Sequence, residues 1–454
     1  MKTIVEPKKN IYKIWGKQRI DENVAYRLMR YVLQVDYDDK VFLHNVVTGQ
    51  LIELEHMEQE VLTKLPLVYD ATMKQLVADH YLVPEEFKED EQIINLRKIL
   101  QKLADVQRKP GIWKYTILTT TACNARCYYC YEKGITADTM TEQVADETVR
   151  FIAEQSKGQK VRIRWFGGEP TLAANRIDQI SDGLLNAGVD FSSTMISNGY
   201  LFDEEMIEKA SKRWNLDSIK ISIDGTRKNY NRIKAYVYAD ANPYERIVRN
   251  IGLFLEAGIR VNVYMNFDKN NYHDFELVLN EYEERFRCNP LLTVRSHQLM
   301  LDQDKTRQQD NSSNEQWYRD MINELNSMSR NRGLLHREKV LPSLLYEWCE
   351  AASGSSATVL PNGNLVSCPE QLSEDQVIGD IRSGILNKKL VDSWRTVTYS
   401  PRCRNCVLFP DCMKIKNCAS SDKCFIKSER MEQYRYRIKQ LASELAHQQK
   451  EEQK

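Results

Sequence analysis

The spacing of apolar positions between residues 113 and 335 predicts a repeating pattern of strands and helices. Short apolar runs alternate with amphipathic stretches of helical period, and the pair recurs six times. The predicted strands are WKYTILTT, KVRIRWFGGEP, DFSSTMISNGYL, SIKISIDG, IRVNVYMNF and LLTVRSHQLM. Such units imply a parallel sheet with right-handed crossovers. We therefore expect an α/β fold in which residues 111–335 form an open, partial (β/α)6 barrel similar to a TIM barrel.

Residues 1–110 predict a smaller α+β domain. The segment 40–55 alternates apolar and polar residues around Thr48-Gly49, which is typical of a hairpin. Short helical stretches follow, and then a long charged helix at 85–108. A hairpin with short helices resembles a winged-helix module. No basic face is visible, so peptide binding at a strand edge is favoured over DNA binding. Alternatively, this domain only caps the barrel.

Residues 336–427 show little regular periodicity, although they contain seven of the chain's eleven cysteines. We predict a C-terminal irregular domain whose stability depends on bound metal. Residues 428–454 are predicted to form a charged helical tail.

The overall charge limits the partners of the protein. The 454 residues include 64 Lys and Arg and 64 Asp and Glu, so the formal net charge is zero. A neutral chain has no long-range attraction for nucleic acid or an anionic membrane. The N-terminal stretch lacks the apolar segment of a secretory signal, and no apolar run approaches the roughly 20 residues of a membrane span. We therefore predict a soluble cytoplasmic protein that binds neither nucleic acid nor membrane.

The cysteines indicate metal. The cytosol keeps thiols reduced, so structural disulfides are not expected. Ten of the eleven cysteines fall in two groups, one near Cys123 and one between Cys349 and Cys424. Grouping of this kind is typical of metal sites. Cys288 stands apart in a helical segment and is predicted to be a partly buried thiol.

The first group is the loop Cys123-Asn-Ala-Arg-Cys127-Tyr-Tyr-Cys130, directly after the first predicted barrel strand. Three thiolates so close together can hold three corners of a cubane cluster and leave the fourth iron without a protein ligand. A structural zinc site usually has four protein ligands, commonly in Cys-x2-Cys pairs. The spacing therefore favours a [4Fe-4S] cluster over zinc.

This Cys-x3-Cys-x2-Cys loop, with Tyr129 before the last cysteine, resembles the defining motif of the radical S-adenosylmethionine (SAM) superfamily. The resemblance extends over residues 113–300. It implies that the open iron binds SAM, and that one electron cleaves SAM to methionine and a 5′-deoxyadenosyl radical. That radical abstracts hydrogen from an unactivated C–H bond, while the protein orients the reactants and excludes water.

Further motifs at the ends of the predicted strands match the same family. Gly167-Gly168-Glu169-Pro170 corresponds to the family's GGEP motif, which holds the methionine amine. Ser197-Asn198-Gly199 and Ser222-Ile-Asp224-Gly225 end the third and fourth strands, where parallel sheets bind ligands. A basic residue that binds the SAM carboxylate follows in relatives, and Arg232 and Lys234 are both candidates. The predicted SAM-binding residues are Tyr129, Gly167, Gly168, Glu169, Pro170, Ser197, Asn198, Ser222, Asp224 and Lys234.

The second cysteine group resembles the SPASM domain, an auxiliary-cluster extension of many radical SAM enzymes. By resemblance, one cluster is held by Cys403, Cys406, Cys412 and Cys424. A zinc ribbon is the alternative for that part. Five residues separate Cys412 from Cys418, where relatives usually have three.

The second auxiliary cluster is expected on Cys349, Cys368 and Cys418. With three thiolates, one of its irons would be left for water, a side chain other than Cys, or a substrate thiolate. The resemblance thus implies three [4Fe-4S] clusters.

A radical SAM core with a SPASM extension suggests modification of a peptide or protein. Sulfatase-maturing enzymes carry Asp immediately after the cysteine that matches Cys368, whereas here Pro369-Glu370 follows. The better match is a maturase of ribosomally made peptides, with residues 25–85 recognising the leader. Its product would be a thioether or carbon–carbon crosslink or an epimerised residue. A flavodoxin or ferredoxin is expected as electron donor. A non-catalytic iron–sulfur scaffold is the alternative, which the intact GGEP and Ser-x-Asp-Gly segments disfavour.

Overall fold

The computed structural model describes residues 1–130, 132–238, 242–286, 289–299, 312–335, 341–346, 349–399, 401–413, 417–418 and 426–452. The predictions for Cys288 and Cys424 lie outside these residues. The chain forms two compact units. The first consists of Met1–Arg108, Lys339–Ala352 and Ser393–Lys454, and the second of Lys109–Glu338 and Ser353–Asp392.

The N-terminal part of the first unit contains two small antiparallel sheets. Its elements are β1 (Lys2–Val5), α1 (Lys9–Trp15), β2 (Ala25–Leu28), β3 (Val32–Tyr37), β4 (Lys40–Asn45), β5 (Leu51–Leu54), α2 (His56–Lys64), β6 (Leu67–Val68), α3 (Lys74–Ala78), β7 (Leu82–Pro84) and α4 (Glu89–Gln107). The strand orders are β1-β5-β4-β3 and β6-β2-β7. Helix α4 buries Ile93, Leu96 and Leu100, the spacing of a single helical face.

The predicted hairpin is confirmed as β4 and β5, with Val41 opposite Leu54 and His44 opposite Leu51. Strand β1 pairs with β5, and β3 pairs with β4. The expectation that a peptide pairs with an edge of this hairpin is therefore wrong, because both of its sides are occupied. The edges of the four-stranded sheet are β1 and β3.

The second unit contains six strand–helix repeats. Its elements are β8 (Lys114–Thr120), α5 (Glu142–Gln155), β9 (Val161–Gly167), α6 (Ala174–Asn186), β10 (Phe191–Ile196), α7 (Glu204–Lys212), β11 (Leu216–Ile223), α8 (Arg227–Lys234), α9 (Pro243–Glu256), β12 (Arg260–Phe267), α10 (Asp274–Phe286), β13 (Leu292–Gln298) and α11 (Ser312–Asn331). Strands β8 to β13 lie side by side in chain order, and neighbours are parallel. This order confirms the predicted α/β partial barrel.

The rest of the second unit extends this sheet. It comprises β14 (Ser356–Val359), β15 (Asn364–Val366), β16 (Val377–Asp380), β17 (Gly384–Ile385) and the first five residues of α12 (Lys388–Trp394). Strand β14 runs parallel to β8, and β15 to β17 follow antiparallel. The segment is thus more regular than its weak periodicity predicts. Asn362-Gly363 between two strand-forming runs is a hairpin signal, and Gly363 has a φ of 92°.

The first unit is completed by α13 (Pro401–Arg404) and α14 (Ile426–Glu452). Most of the segment predicted as a helical tail lies in α14. Its residues Ile438 and Ala442 pack against Leu33, Val35 and Phe42 on the four-stranded sheet. No helix in the described ranges is both long enough and apolar enough to cross a membrane.

Candidate active site

The loop that carries Cys123, Cys127 and Cys130 begins where β8 ends. Its backbone is tied to the segment around the end of α8, because Arg126 N donates to Lys234 O (2.8 Å) and Val237 N donates to Asn124 O (2.9 Å). The loop therefore lies at the carboxyl end of the parallel strands, where ligands bind in such sheets.

The three thiols of this loop are free and partly buried. Burial, assisted by the charges of Glu169, Cys127 and Cys130, raises the pKa of Cys123 to about 11. Burial also raises the pKa of Cys130. Three thiolates that disfavour one another's charge require a positively charged, thiophilic partner, and iron in a sulfur cluster is one. No three described Cys, His, Asp or Glu side chains converge tightly enough for a single metal ion. Three thiols in one loop are the type of donor that iron–sulfur clusters use, and the binding of a cluster by these three residues stays a prediction.

Gly167 and Gly168 bring the end of β9 against this loop. A Cβ atom on Gly167 would collide with Thr120 O, and one on Gly168 would collide with Ala122 O. Gly167 also has a φ of 120°. Glu169 N donates to Ala122 O at 2.8 Å. Glycine is required here because backbone packs directly on backbone.

Glu169 joins the ends of β9 and β10 through its fully buried carboxylate. Oε1 accepts from Thr171 Oγ1 (2.5 Å), Thr171 N (3.2 Å) and Ser197 Oγ (2.8 Å). Oε2 accepts from Asn198 N at 2.8 Å. Burial raises the pKa of Glu169, which these hydrogen bonds oppose. Among the residues that the structure describes, Oε2 accepts this one bond, so it retains a lone pair for a ligand ammonium group. Its contact with the SAM amine stays a prediction.

Pro170 is also buried and begins a short 3-10 helix, Pro170–Ala173. Asn198 extends the connection to the cysteine loop, because its Nδ2 donates to Asn124 Oδ1 at 2.7 Å. The motifs that end β9 and β10 therefore lie together beside the cysteine loop.

A second network centres on Lys234, at the end of α8. Its Nζ donates to Ser222 Oγ (2.6 Å) and to the Tyr129 hydroxyl (3.0 Å), and lies 3.0 Å from Asp224 Oδ2. The Tyr129 hydroxyl donates to Asp224 Oδ1 at 2.8 Å. Burial by itself would lower the pKa of Lys234, but Asp224 and Tyr129 hold it well above its usual range. The lysine is therefore a charged group of the site.

The structure separates the two basic candidates. Lys234 is buried within this network. Arg232 is exposed and donates to Asn229 Oδ1 at 3.1 Å. Lys234 is therefore the residue that the fold brings to the predicted SAM-binding motifs.

Sequence reasoning missed Asn266, at the end of β12. Its Nδ2 donates to the Tyr129 hydroxyl and to Asp224 Oδ1, both at 3.2 Å. Asn271 Nδ2 in turn donates to Asp224 O at 3.0 Å. Asn266 is the second-last residue of the predicted strand IRVNVYMNF, and the polar residues 268–271 directly follow that strand. The same rule that selected Ser222 and Asp224 would have identified it.

The described auxiliary cysteines fall in both units. Cys403 lies in α13, and Cys406 and Cys412 lie in the loop that follows it, where Cys406 N donates to Cys403 O at 3.0 Å. All three belong to the first unit. Cys349 and Cys418 belong to the same unit. Burial raises the pKa of Cys349, and the charge of Cys418 adds to this. Cys368 belongs to the second unit. The assignment of these residues to two clusters stays a prediction.

Arg97 of α4 is a second residue that sequence reasoning missed. Its side chain is almost fully buried. It donates to Phe409 O (3.0 Å), Pro410 O (2.8 Å) and Cys412 O (3.4 Å), and also to the Tyr399 hydroxyl. The loop that carries the auxiliary cysteines is therefore tied to α4 by one guanidinium group.

Residues 117–281 match the family model "Radical SAM superfamily". The chain therefore carries a radical SAM domain, and the resemblance inferred from the cysteine loop is confirmed. The matched region contains the cysteine loop and both networks, centred on Glu169 and on Lys234.

Two curated relatives are similar over part of their length. The Fe-coproporphyrin III synthase of Methanosarcina barkeri is 24% identical over 165 residues, which are 36% of this chain and 39% of that protein. The S-adenosylmethionine-dependent nucleotide dehydratase of Pseudoalteromonas ulvae is 35% identical over 121 residues, 23% of this chain and 38% of that protein. The chain spans about two fifths of each.

Solved structures share the fold over a larger part of the chain. The match to the structure of anSMEcpe with bound AdoMet has a TM-score of 0.58 and 14% identity. It covers 73% of this chain and 98% of the anSMEcpe chain. The match to Streptococcus suis SuiB bound to S-adenosylmethionine has a TM-score of 0.50 and 15% identity. It covers 86% of this chain and 95% of the SuiB chain. At these identities the likeness concerns the fold.

Proposed function

We propose that this protein is a radical SAM enzyme that modifies a ribosomally made precursor peptide. The observation that carries the proposal is the buried network of Lys234, Asp224, Tyr129 and Ser222. It joins the cysteine loop to the ends of the parallel strands through charged hydrogen bonds. A structural scaffold would not need a buried lysine at the mouth of its sheet, because a buried ion pair seldom stabilises a fold.

The chain's own residues would bind and orient the cofactors. Cys123, Cys127 and Cys130 would hold the [4Fe-4S] cluster, which with SAM supplies a 5′-deoxyadenosyl radical. Lys234 offers a positive charge to the SAM carboxylate, and Asp224 and Ser222 keep that charge in position. Glu169 and the Gly167-Gly168 backbone offer acceptors to the amine. Burial of these groups excludes water, which strengthens each electrostatic contact.

Two considerations support a peptide substrate. Streptococcus suis SuiB bound to precursor peptide SuiA shares the fold with a TM-score of 0.50, and anSMEcpe with Cp18Cys peptide does so with 0.56. The four-stranded sheet also has an edge strand, β3, of six residues. An extended leader peptide could pair with such an edge through main-chain hydrogen bonds. One outward carbonyl, Gln34 O, already accepts from Arg435 at 3.3 Å.

The auxiliary cysteines complete the proposal. Cys403, Cys406, Cys412 and Cys424 would hold one further [4Fe-4S] cluster, and Cys349, Cys368 and Cys418 a second. A flavodoxin or ferredoxin would deliver the electron. A reducing cytoplasm would keep the thiols of these cysteines available to iron.

The test uses anaerobically reconstituted protein, SAM, dithionite and the synthetic peptide encoded beside the gene. We expect 5′-deoxyadenosine together with a peptide that has lost two hydrogen atoms, as a thioether or carbon–carbon crosslink requires. An epimerised product would instead gain deuterium from D2O. The control is the same peptide in scrambled order. Release of 5′-deoxyadenosine with no change in the peptide's mass or deuterium content would contradict the peptide assignment.

A further inference from the structure

Three tyrosines of the second unit form a stack near the cysteine loop. The Tyr200 ring stacks with the ring of Tyr236, with their centres 4.4 Å apart, and with the ring of Tyr238, with centres 5.5 Å apart. Tyr200 is buried and Tyr236 is partly buried, whereas Tyr238 is 42% exposed. The stack therefore extends from the interior of the unit to an exposed side chain. Aromatic rings in contact are a general path for electron transfer through a protein.

A pair of hydroxyl groups lies at the inner end of this stack. The hydroxyl oxygens of Tyr236 and Tyr230 are 2.9 Å apart, and within the described ranges each is the other's hydrogen-bond partner. Tyr230 is fully buried. A buried hydroxyl that donates to nothing is unfavourable, so Tyr230 donates and Tyr236 accepts. The hydroxyl hydrogen of Tyr236 then has no acceptor in the described part of the chain.

The hydroxyl group of Tyr236 lies close to the residues that are predicted to bind SAM. Val237, the next residue, donates its backbone N–H to the cysteine loop at 2.9 Å. Burial raises the pKa of the Tyr236 phenol well above its usual range, assisted by the charges of Glu169, Cys127 and Asp224. The phenol is therefore within electrostatic range of both networks of the site, and it keeps its hydrogen near neutral pH.

Packing alone does not explain these hydroxyl groups. Phenylalanine would fill the same space without the cost of burying a polar group. Unlike phenylalanine, tyrosine can give up a hydrogen atom from oxygen. The O–H bond of a phenol is weaker than the methyl C–H bond of 5′-deoxyadenosine, so hydrogen transfer from tyrosine to a 5′-deoxyadenosyl radical is favourable. A phenol beside a site that produces this radical is therefore a hydrogen-atom donor.

We propose that Tyr236 gives its hydroxyl hydrogen atom to a 5′-deoxyadenosyl radical that has formed without a substrate. The O–H bond of Tyr236 breaks, a C–H bond forms at the 5′ carbon, and a neutral tyrosyl radical is left. One electron from dithionite or the reduced electron donor, passed through Tyr238 and Tyr200, and one proton from water then restore the phenol. Tyr236 thereby protects the cysteine loop from radical damage. This role goes beyond the peptide assignment, because it requires SAM cleavage alone.

The test is SAM cleavage by the full-length reconstituted protein in D2O, with dithionite and without peptide. Hydroxyl hydrogens exchange with D2O, whereas hydrogens on carbon do not. Mass spectrometry should therefore find one deuterium atom in most of the 5′-deoxyadenosine. Y236F should remove this deuterium, because the radical must then take hydrogen from carbon. Y230F is the matched control, since it removes the other hydroxyl of the pair and should leave the deuterium content unchanged. Circular dichroism verifies that each variant is folded.

Electron paramagnetic resonance of samples frozen during the same reaction tests the stack. A tyrosyl radical signal should be present in the unmodified protein and absent in Y236F. The signal should decay more slowly in Y238L, because this variant lacks the exposed ring through which the restoring electron enters. The control is Y37L, which removes an exposed tyrosine of the first unit and should leave the decay unchanged.

Undeuterated 5′-deoxyadenosine from the unmodified protein, or an unchanged deuterium content in folded Y236F, would overturn the proposal. An equal loss of deuterium in Y230F and Y236F would overturn it as well, because the pair would then act only through the local structure. A tyrosyl signal that decays at the same rate in Y238L and the unmodified protein would refute the path through the stack. These reactions contain no peptide, so their outcome is independent of the peptide assignment.

Discussion

The ammonium nitrogen of Lys234 lies 3.0 Å from Oδ2 of Asp224, and their side chains are 3% and 0% exposed. The pair connects a helix end to a strand end directly behind the cysteine loop. Removing one partner from a buried ion pair leaves an uncompensated charge. We therefore expect Lys234→Met to lower the free energy of unfolding by about 3–5 kcal/mol.

Urea unfolding of the metal-free protein measures this change. The matched control is Arg232→Met, since Arg232 is exposed and contacts only a neighbouring Asn229 among the described hydrogen bonds. If the two variants lost the same free energy of unfolding, Lys234 would have no special role in the network.

Acid should destabilise the first unit through His44. Burial lowers the pKa of His44 to about 3. A base with a lowered folded pKa is protonated more readily in the unfolded chain, so stability falls as pH drops from about 6.5 towards 3. Lowering the pH from 7 to 5 should therefore reduce the free energy of unfolding by about 2 kcal/mol through this group. His44→Leu should remove that part of the pH dependence.

The measurement is urea unfolding of metal-free protein at pH 7 and pH 5. His56→Leu is the control, because its side chain is 87% exposed. If His44→Leu and the unmodified protein lose the same stability at pH 5, His44 does not titrate as its burial requires.

Gly168→Ala should disrupt the SAM site. The added methyl group would collide with Ala122 O, so the backbone of β9 must move away from the cysteine loop. A displacement of about 1 Å in an active site can reduce a rate about 100-fold. We therefore expect the rate of 5′-deoxyadenosine release to fall about 100-fold. Gly252→Ala in α9 meets only Phe286, at 3.7 Å, and should leave the rate unchanged. Similar rates in both variants would contradict the close approach.

Arg97→Met should loosen the loop of Cys403, Cys406 and Cys412. It removes charged hydrogen bonds to three carbonyls of that loop, each of order 1.5–3 kcal/mol. We expect about 3 kcal/mol less stability and a lower iron content after reconstitution. The neighbouring Lys98 is exposed, so Lys98→Met is the control. Unchanged iron and stability in Arg97→Met would show that the guanidinium does not support the loop.

Local patterns were sufficient to predict the barrel and its motifs. The strands β8 to β13 were evident because each apolar run is separated from the next by an amphipathic helix. Cys123, Gly167 and Ser222 were evident because each directly follows or ends a strand. Parallel strands in chain order then bring those ends together.

Features that depend on distant contacts were not predictable. Arg97 lies on a charged helix, and its burial requires residues more than 300 positions away, such as Phe409. Arg232 and Lys234 are two residues apart, and only the end of α8 decides which one faces Asp224. The pairing of β14 with β8 joins segments that no local pattern connects. Asn266 is different, since its position at a strand end was a usable signal.

The most direct test of the central claim is the release of 5′-deoxyadenosine by Cys127→Ala under anaerobic reduction with dithionite. The account predicts that the unmodified protein cleaves SAM, whereas this variant cleaves none and still retains the iron bound by its auxiliary cysteines. Cleavage by Cys127→Ala at the unmodified rate, or a colourless reconstituted protein with zinc in the loop, would contradict it.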